Sequence, residues 1–236
     1  MRETSGVTAP LDAAPPIAGL VLAAGAGRRM GGPKALLTLT DGGPTLVELA
    51  VTRLLAGGCP SVVTVVGAQA DTVGPYAAST GSIVVVADDW AQGMGASLRR
   101  GLQALEATRA EAAVVTLVDL PDVIETVIAR VLESLARTGE SDDSAGLARG
   151  APSAGTGGGG WATALGRAAY GGKPGHPVVL GRTHWPAVLA SATGDRGARA
   201  VLATGATLLV ECGDLATGRD WDRRTDQPPR SPGARS

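Results

Sequence analysis

Along the first 135 positions the apolar residues fall by turns into short unbroken runs and into sets spaced for a helix. Ile17–Ala23 is a short apolar run that ends at a glycine cluster, the pattern of a buried strand feeding a loop. Ser61–Gly67, Ser82–Ala87 and Ala112–Val118 predict three more strands. Between the runs, Leu46, Leu49, Ala50, Leu54 and Leu55 recur at helical spacing over Thr45–Ala56, and Gly57 and Gly58 stop them. Leu98, Leu102 and Leu105 share one face of a helix predicted over Gly95–Ala107. A third helix is predicted over Pro121–Leu135, with proline in its first turn, where a missing N–H costs nothing.

Strands alternating with helices imply a mostly parallel sheet with helices on both faces, a three-layer α/β/α arrangement. Ligands on such sheets bind beyond the carboxyl ends of the strands. The loops at 23–34, 88–97 and 119–122 are therefore expected at one rim. The pattern breaks at 138–160, where Gly, Ser, Ala and Asp dominate, and this stretch reads as a flexible insertion. Beyond it, strands are expected over Trp161–Tyr170 and His176–Gly181 around a Gly-Gly-Lys-Pro-Gly turn. Helices near Trp185–Ala192 and Gly197–Ala203 and a strand over Thr207–Val210 follow. The folded domain is placed at 17–227, with polar or Pro-rich disordered tails at 1–16 and 228–236.

Composition narrows the classes. With 44% hydrophobic and 18% charged residues the chain can bury a sizeable core. A net charge of -1, no Phe and few other aromatics argue against a nucleic-acid partner. No apolar run reaches the roughly 18 residues of a membrane span, and residues 1–16 lack a signal-peptide pattern, so a cytoplasmic protein without a membrane partner is expected. Cys59 and Cys212 sit in no metal-binding spacing and read as buried thiols.

The chemistry concentrates in Leu22-Ala23-Ala24-Gly25-Ala26-Gly27-Arg28-Arg29-Met30-Gly31-Gly32-Pro33-Lys34. Small residues let backbone N–H groups approach phosphate, and Arg29 and Lys34 supply countercharge. Of the 21 basic residues only Lys34 and Lys173 are lysines, which singles out Lys34 inside such a loop. A P-loop would need Ser or Thr after the lysine, but Ala35 follows. A dinucleotide fingerprint would need Gly or Ala where Met30 stands. Asp119, just past a strand at the same rim, reads as a carboxylate for a hard cation or as a helix N-cap. Ser97 reads as a donor to acceptor or phosphate near a helix N-terminus, or as a cap. His176, in a Pro-Gly-His-Pro turn, reads either as structural or as a pocket residue.

Leu-Ala-Ala-Gly-x-x-x-Arg-Met-Gly-x-x-Lys resembles the signature loop of the MobA-like nucleotidyltransferases. Gly93-Met94-Gly95-Ala96-Ser97-Leu98-Arg99-Arg100-Gly101-Leu102, Gly175-His176-Pro177-Val178 and Gly194-Asp195-Arg196-Gly197-Ala198-Arg199 are similar to segments of the cytidylyltransferase branch of that family. The resemblance runs in order from residue 18 to about 226. It implies the nucleotide-diphospho-sugar transferase type of fold and transfer of CMP from CTP, or of another nucleotide, with release of pyrophosphate. The implied acceptor is a molybdopterin-type molybdenum cofactor, with a molybdoenzyme or its maturation factor as a further partner. A sugar phosphate or other small phosphate is the alternative acceptor, and a non-catalytic cofactor carrier the alternative function. The resemblance assigns Leu22, Ala23, Ala24, Gly25, Gly27, Arg29 and Lys34 to the nucleotide. It assigns Gly93, Ser97 and His176 to the acceptor, and Asp119 and Asp222 to Mg2+, with Arg29, Lys34 and Asp119 catalytic. Asp220-Trp221-Asp222 departs from the family's terminal segment, because Arg223 and Arg224 stand where Thr and Pro belong.

Overall fold

A computed structural model describes residues 16–144, 160–203 and 207–221, without the side chains of 139–144. Seven strands, β1 (Ile17–Ala23), β2 (Val62–Val66), β3 (Ile83–Val86), β4 (Ala112–Leu117), β5 (Leu165–Tyr170), β6 (Lys173–Gly181) and β7 (Leu208–Glu211), form one sheet in the order β3-β2-β1-β4-β6-β5-β7. The first four strands are mutually parallel, β6 runs antiparallel to both neighbours, and β7 is parallel to β5. The helices are α1 (Leu46–Ala56), α2 (Ala70–Ser79), α3 (Met94–Glu106), α4 (Glu125–Ser144), α5 (Trp185–Ser191) and α6 (Arg199–Leu202).

Period-two alternation along β1 divides the core. Ile17, Val21 and Ala23 pack with Val47, Val51 and Leu54 of α1, Val73 and Ala77 of α2 and Val127, Ile128 and Val131 of α4. Ala18, Leu20 and Leu22 pack on the other face with Leu98, Leu102 and Leu105 of α3, Trp185 and Val188 of α5 and Val201 of α6. Every one of these strand residues is buried, as expected for a sheet covered on both sides. The three layers expected from the sequence are therefore present.

Helix α1 starts as its sequence dictates. The Thr45 hydroxyl accepts from the Glu48 N–H while the Glu48 carboxylate accepts from the Thr45 N–H at 2.7 Å, a reciprocal cap. Other boundaries differ from expectation. Helix α2 was not foreseen: Gly74 and Pro75 interrupt its pattern, yet burial of Val73 and Ala77 holds it in place. Helix α4 begins at Glu125 rather than Pro121, because the Pro121 and Val123 carbonyls accept from Arg53 of α1 instead of from helix N–H groups. It also runs on to Ser144, so 138–144 is helical rather than the start of a flexible insertion; 145–159 lies outside the described residues. The hairpin β5–β6 turns on only two residues, Gly171 and Gly172, both at positive φ, which pairs Tyr170 with Lys173. Strand β6 therefore starts before His176 and carries it inside the sheet.

Candidate functional site

The chain leaves β1 for β2 on one side and returns to β4 on the other, so β1 and β4 flank the point where the strand order reverses. Their register sets Leu22 opposite Leu117, and the Val118 N–H donates to the Leu22 carbonyl. The segments that follow thus leave the sheet side by side. Lys34 Nζ donates to Asp119 Oδ2 at 2.7 Å across 85 residues of sequence. Both side chains are mostly shielded, at 17% and 18% exposure.

The loop between β1 and Lys34 is folded on itself. Gly27 sits at φ +59°, and its carbonyl accepts from Met30 N–H at 2.8 Å and Gly32 N–H at 3.3 Å. A Cβ on Gly27 would lie inside contact distance of the Gly32 carbonyl oxygen, so only glycine closes this turn. The loop passes into short 3-10 turns at Arg28–Met30 and Lys34–Leu36, and the first α-helix begins at Leu46.

Around the pair opens a cavity of about 560 Å³. Its walls come from the three rim loops expected from the sequence, at 22–35, 90–97 and 117–119, with Asp195 added. Leu22, Ala24, Gly25, Gly27, Arg29 and Lys34 all line it. The Ala23 side chain does not; alternation turns it into the α1 face of the core. Arg28 lines the cavity beside Arg29, both exposed at its mouth. Trp90, which the sequence reading passed over, forms part of the wall; its place after the third strand was the available signal.

Gly93 and Ser97 line this same cavity, and His176 does not. Gly93, at φ +108°, packs so close to the 194–195 turn that a Cβ would meet the Gly194 carbonyl carbon at 2.7 Å. Arg99 tightens the same junction, pairing with Asp89 at 3.1 Å and donating to the Ala192 carbonyl. The Gly-Met-x-x-Ser-Leu and Gly-Asp-Arg-Gly-Ala-Arg segments, far apart in sequence, thus meet at one wall of the cavity. Ser97 is buried at the cavity edge, and its hydroxyl is bonded to no protein group among the described residues.

His176 lines a second cavity, of about 320 Å³, with Arg167, Arg196 and Arg199. Leu22, Met94 and Asp195 line both cavities, which are therefore adjacent. Burial, reinforced by the positive charge of Arg167, pushes the His176 imidazole down to about 4, so it is neutral near pH 7. Desolvation and then the neighbouring Arg199 lower Arg167 as well.

Among the described residues no three His, Cys, Asp or Glu side chains converge on a metal-sized space. A divalent metal that arrives with a triphosphate needs fewer protein ligands, one or two carboxylates with phosphate oxygens completing its shell, and Asp119 is a carboxylate that lines the cavity. Asp222 lies outside the described residues. The chain reaches Trp221, whose N–H donates to the Asp119 carbonyl at 2.9 Å.

A three-layer α/β sheet with a glycine-rich basic loop and a carboxylate at its switch point defines a nucleotide-binding transferase fold. The chain belongs to the MobA-like NTP transferase family: the domain description matches residues 19–209. It is 38% identical over 211 residues to a nicotine blue oxidoreductase of Paenarthrobacter nicotinovorans, covering 88% of this chain and 93% of that protein. Among solved structures it is similar to Rv0371c of Mycobacterium tuberculosis, at 27% identity and a TM-score of 0.65, over 91% of this chain and 96% of that one. A manganese complex of Rv0371c matches at 25% identity and a TM-score of 0.61, over 89% and 97% of the two chains. A nucleotidyl transferase from Methanothermobacter thermautotroptrophicus shares the fold, at 22% identity and a TM-score of 0.65, over 89% and 93%. The fold is that of the nucleotide-diphospho-sugar transferases. Among the described residues no helix is long and apolar enough to cross a membrane.

Proposed function

We propose that the protein transfers a nucleoside monophosphate from a nucleoside triphosphate to a small phosphorylated acceptor, releasing pyrophosphate. The observation that carries this reading is the Lys34–Asp119 pair in the cavity that the folded loop at 24–34 lines. One cation and one carboxylate at the same point suit a triphosphate that arrives with a divalent metal. Backbone N–H groups and Arg28, Arg29 and Lys34 hold the phosphates and stabilise the departing pyrophosphate. The metal is Mg2+ in this reading, held by Asp119 and, beyond the described residues, Asp222. When bound it screens the charge of the phosphates; the related Rv0371c has been crystallised with manganese. An acceptor phosphate is already anionic, so no activated side-chain nucleophile is required.

In its finer form the reading is CTP as donor and a molybdopterin-type cofactor as acceptor, with a molybdoenzyme or its maturation factor receiving the product. Ala24, buried against the cavity at 5% exposure, supports a pyrimidine. Its methyl group narrows the space at the end of β1, which disfavours a two-ring base more than a one-ring base. A sugar phosphate remains the alternative acceptor, and a non-catalytic cofactor carrier the alternative role.

A second reading, oxidoreduction, is favoured by the name of the 38% identical relative. The loop geometry argues against the dinucleotide site that such chemistry commonly uses. There the pyrophosphate rests on the N-terminus of a helix opened by the glycine loop, whereas here the loop feeds 3-10 turns.

One pair of assays tests both. Pyrophosphate release is measured with CTP, GTP and ATP, with molybdenum-loaded molybdopterin or sugar phosphates as acceptor. Oxidation or reduction of nicotine blue is followed in parallel. Pyrophosphate release dependent on acceptor and metal is expected; redox turnover of nicotine blue without it would replace the transferase reading. A GTP specificity constant equal to or above that for CTP would remove the cytidylyl assignment alone.

A further inference from the structure

After β7 the chain runs on to Asp119, and side chains from other elements hold it on the way. Arg130 of α4 forks onto both carboxylate oxygens of Asp214. Gly218, at φ +63°, lies so close to the Tyr170 ring of β5 that a Cβ there would come within 2.3 Å of it. Asp122, from the loop after β4, accepts from both the N–H and the hydroxyl of Thr217 on one oxygen, at 2.6 and 2.5 Å. The run ends at Trp221, which is buried and whose N–H donates to the Asp119 carbonyl.

Asp119 is therefore held twice, at its carboxylate by Lys34 and at its main chain by the end of this strap. Asp122 does not line the first cavity, so it can act on the site only through its neighbours. Arg53 of α1 already fixes the same loop through the Pro121 and Val123 carbonyls. The second oxygen of Asp122 is shielded and has no hydrogen-bond partner among the described residues. Such an oxygen costs stability, so the fold by itself gives no reason for a carboxylate here. Along the strap Asp214, Thr217, Arg219 and Asp220 are exposed. A segment held mainly by polar contacts can open locally while the domain stays folded.

We propose that Asp122 is a positioning residue of the site: through Thr217 it locks the strap at 212–221 against the loop that carries Asp119, and so sets Asp119 for the metal that arrives with the nucleotide. The inference rests on the transferase reading in taking that metal and nucleotide as the ligands Asp119 serves.

The test reads strap opening and metal-assisted binding separately, in the full chain, on variants first shown by circular dichroism to be folded. Opening is the rate at which trypsin cuts after Arg219, followed by mass spectrometry. Binding is the Kd of CTP by calorimetry, with saturating Mn2+ and with EDTA. Asp122→Ala is expected to speed the cut about tenfold or more, the usual effect of removing a charged hydrogen-bond acceptor. It should weaken CTP binding about tenfold or more with Mn2+, as loss of a group that supports a metal ligand does, and within about twofold in EDTA. Thr217→Val, which keeps the N–H but not the hydroxyl, should shift both readouts the same way by less. Thr217→Ser, which keeps both donors, should restore wild-type values within about twofold. Arg130→Gln, which removes an exposed pair at the start of the strap, should leave Mn2+-assisted binding within about twofold. Should Asp122→Ala not fold, the two Thr217 variants carry the same test. Faster cleavage with unchanged Mn2+-assisted binding would overturn the proposal, as would equal weakening with and without Mn2+. Weakening in Asp122→Ala with none in Thr217→Val, the pattern of a direct ligand, would also overturn it. Wild-type binding that is unchanged in every variant sinks this inference alone, whereas a wild type that binds neither CTP, GTP nor ATP with Mn2+ sinks the transferase reading and the inference with it.

Discussion

Replacing Lys34 by alanine removes the one side chain that joins the β1 loop to the end of β4 by an ion pair among the described residues. The partners are 2.7 Å apart and less than a fifth exposed, so this is no freely solvated surface bridge. A hydrogen bond to a charged group contributes about 1.5–3 kcal/mol net. The Asp119 carboxylate retains some access to water, which returns part of that, so a stability loss of about 1–2 kcal/mol is expected. For a domain of this size about 2–4 °C of Tm accompanies each kcal/mol, giving a fall of roughly 2–8 °C and a protein still folded at 25 °C. The catalytic effect should be larger. A positioned charge at a reacting phosphate contributes about 2.7–4 kcal/mol, or about 10²–10³ in kcat. Circular dichroism and a thermal scan measure the first quantity, and pyrophosphate release under kcat and kcat/KM conditions measures the second. A folded Lys34→Ala protein with wild-type kcat/KM would refute the role, whatever its Tm.

Gly27→Ala must force a left-handed residue to carry a Cβ, about 1–2 kcal/mol, and push Gly32 away; nucleotide Kd, read by calorimetry, should rise about tenfold or more with the circular dichroism spectrum unchanged. Asp119→Asn should reduce metal-dependent pyrophosphate release more than Asp222→Asn, and an unchanged metal titration in Asp119→Asn would exclude Asp119 as a ligand. His176 is held near 4 when folded, against about 6.5 when unfolded, so the unfolded chain binds the extra proton between those values. The stability that the neutral ring contributes is therefore complete above about pH 6.5 and lost as pH falls toward 4. The urea midpoint of wild type should approach or drop below that of His176→Gln over that window, and a difference independent of pH would show that the ring titrates normally. Leu54, fully buried between α1 and β1, should cost about 2–5 kcal/mol of stability when cut to alanine, with kcat unchanged.

Much of this was legible without coordinates, for identifiable reasons. Runs such as Ile17–Ala23 are apolar on both faces, and that fits only a strand covered on both sides. The Thr45/Glu48 cap and the glycines after Ala56 mark α1 locally. Helix α2 was illegible because Gly74 and Pro75 oppose it and only tertiary burial of Val73 and Ala77 supports it. The start of α4 was misplaced because Arg53, far away in sequence, takes the carbonyls of Pro121 and Val123. At the site, residue types and strand-end placement pointed to the basic loop and Asp119. They could not separate Gly93 and Ser97 from His176, which line different cavities, nor turn the Ala23 side chain away from the first of them.

By itself, then, the sequence determined the local elements of the first half, the layered class and the chemistry of the glycine-rich loop, because propensity, capping and hydrophobic period act over a few neighbouring residues. Only the tertiary structure decided that β6 enters antiparallel beside β4, carrying His176 toward Arg167 and Arg199. It alone brought Lys34 to Asp119 across 85 residues, because strand order and register arise from the packing of the whole sheet rather than from any segment of it.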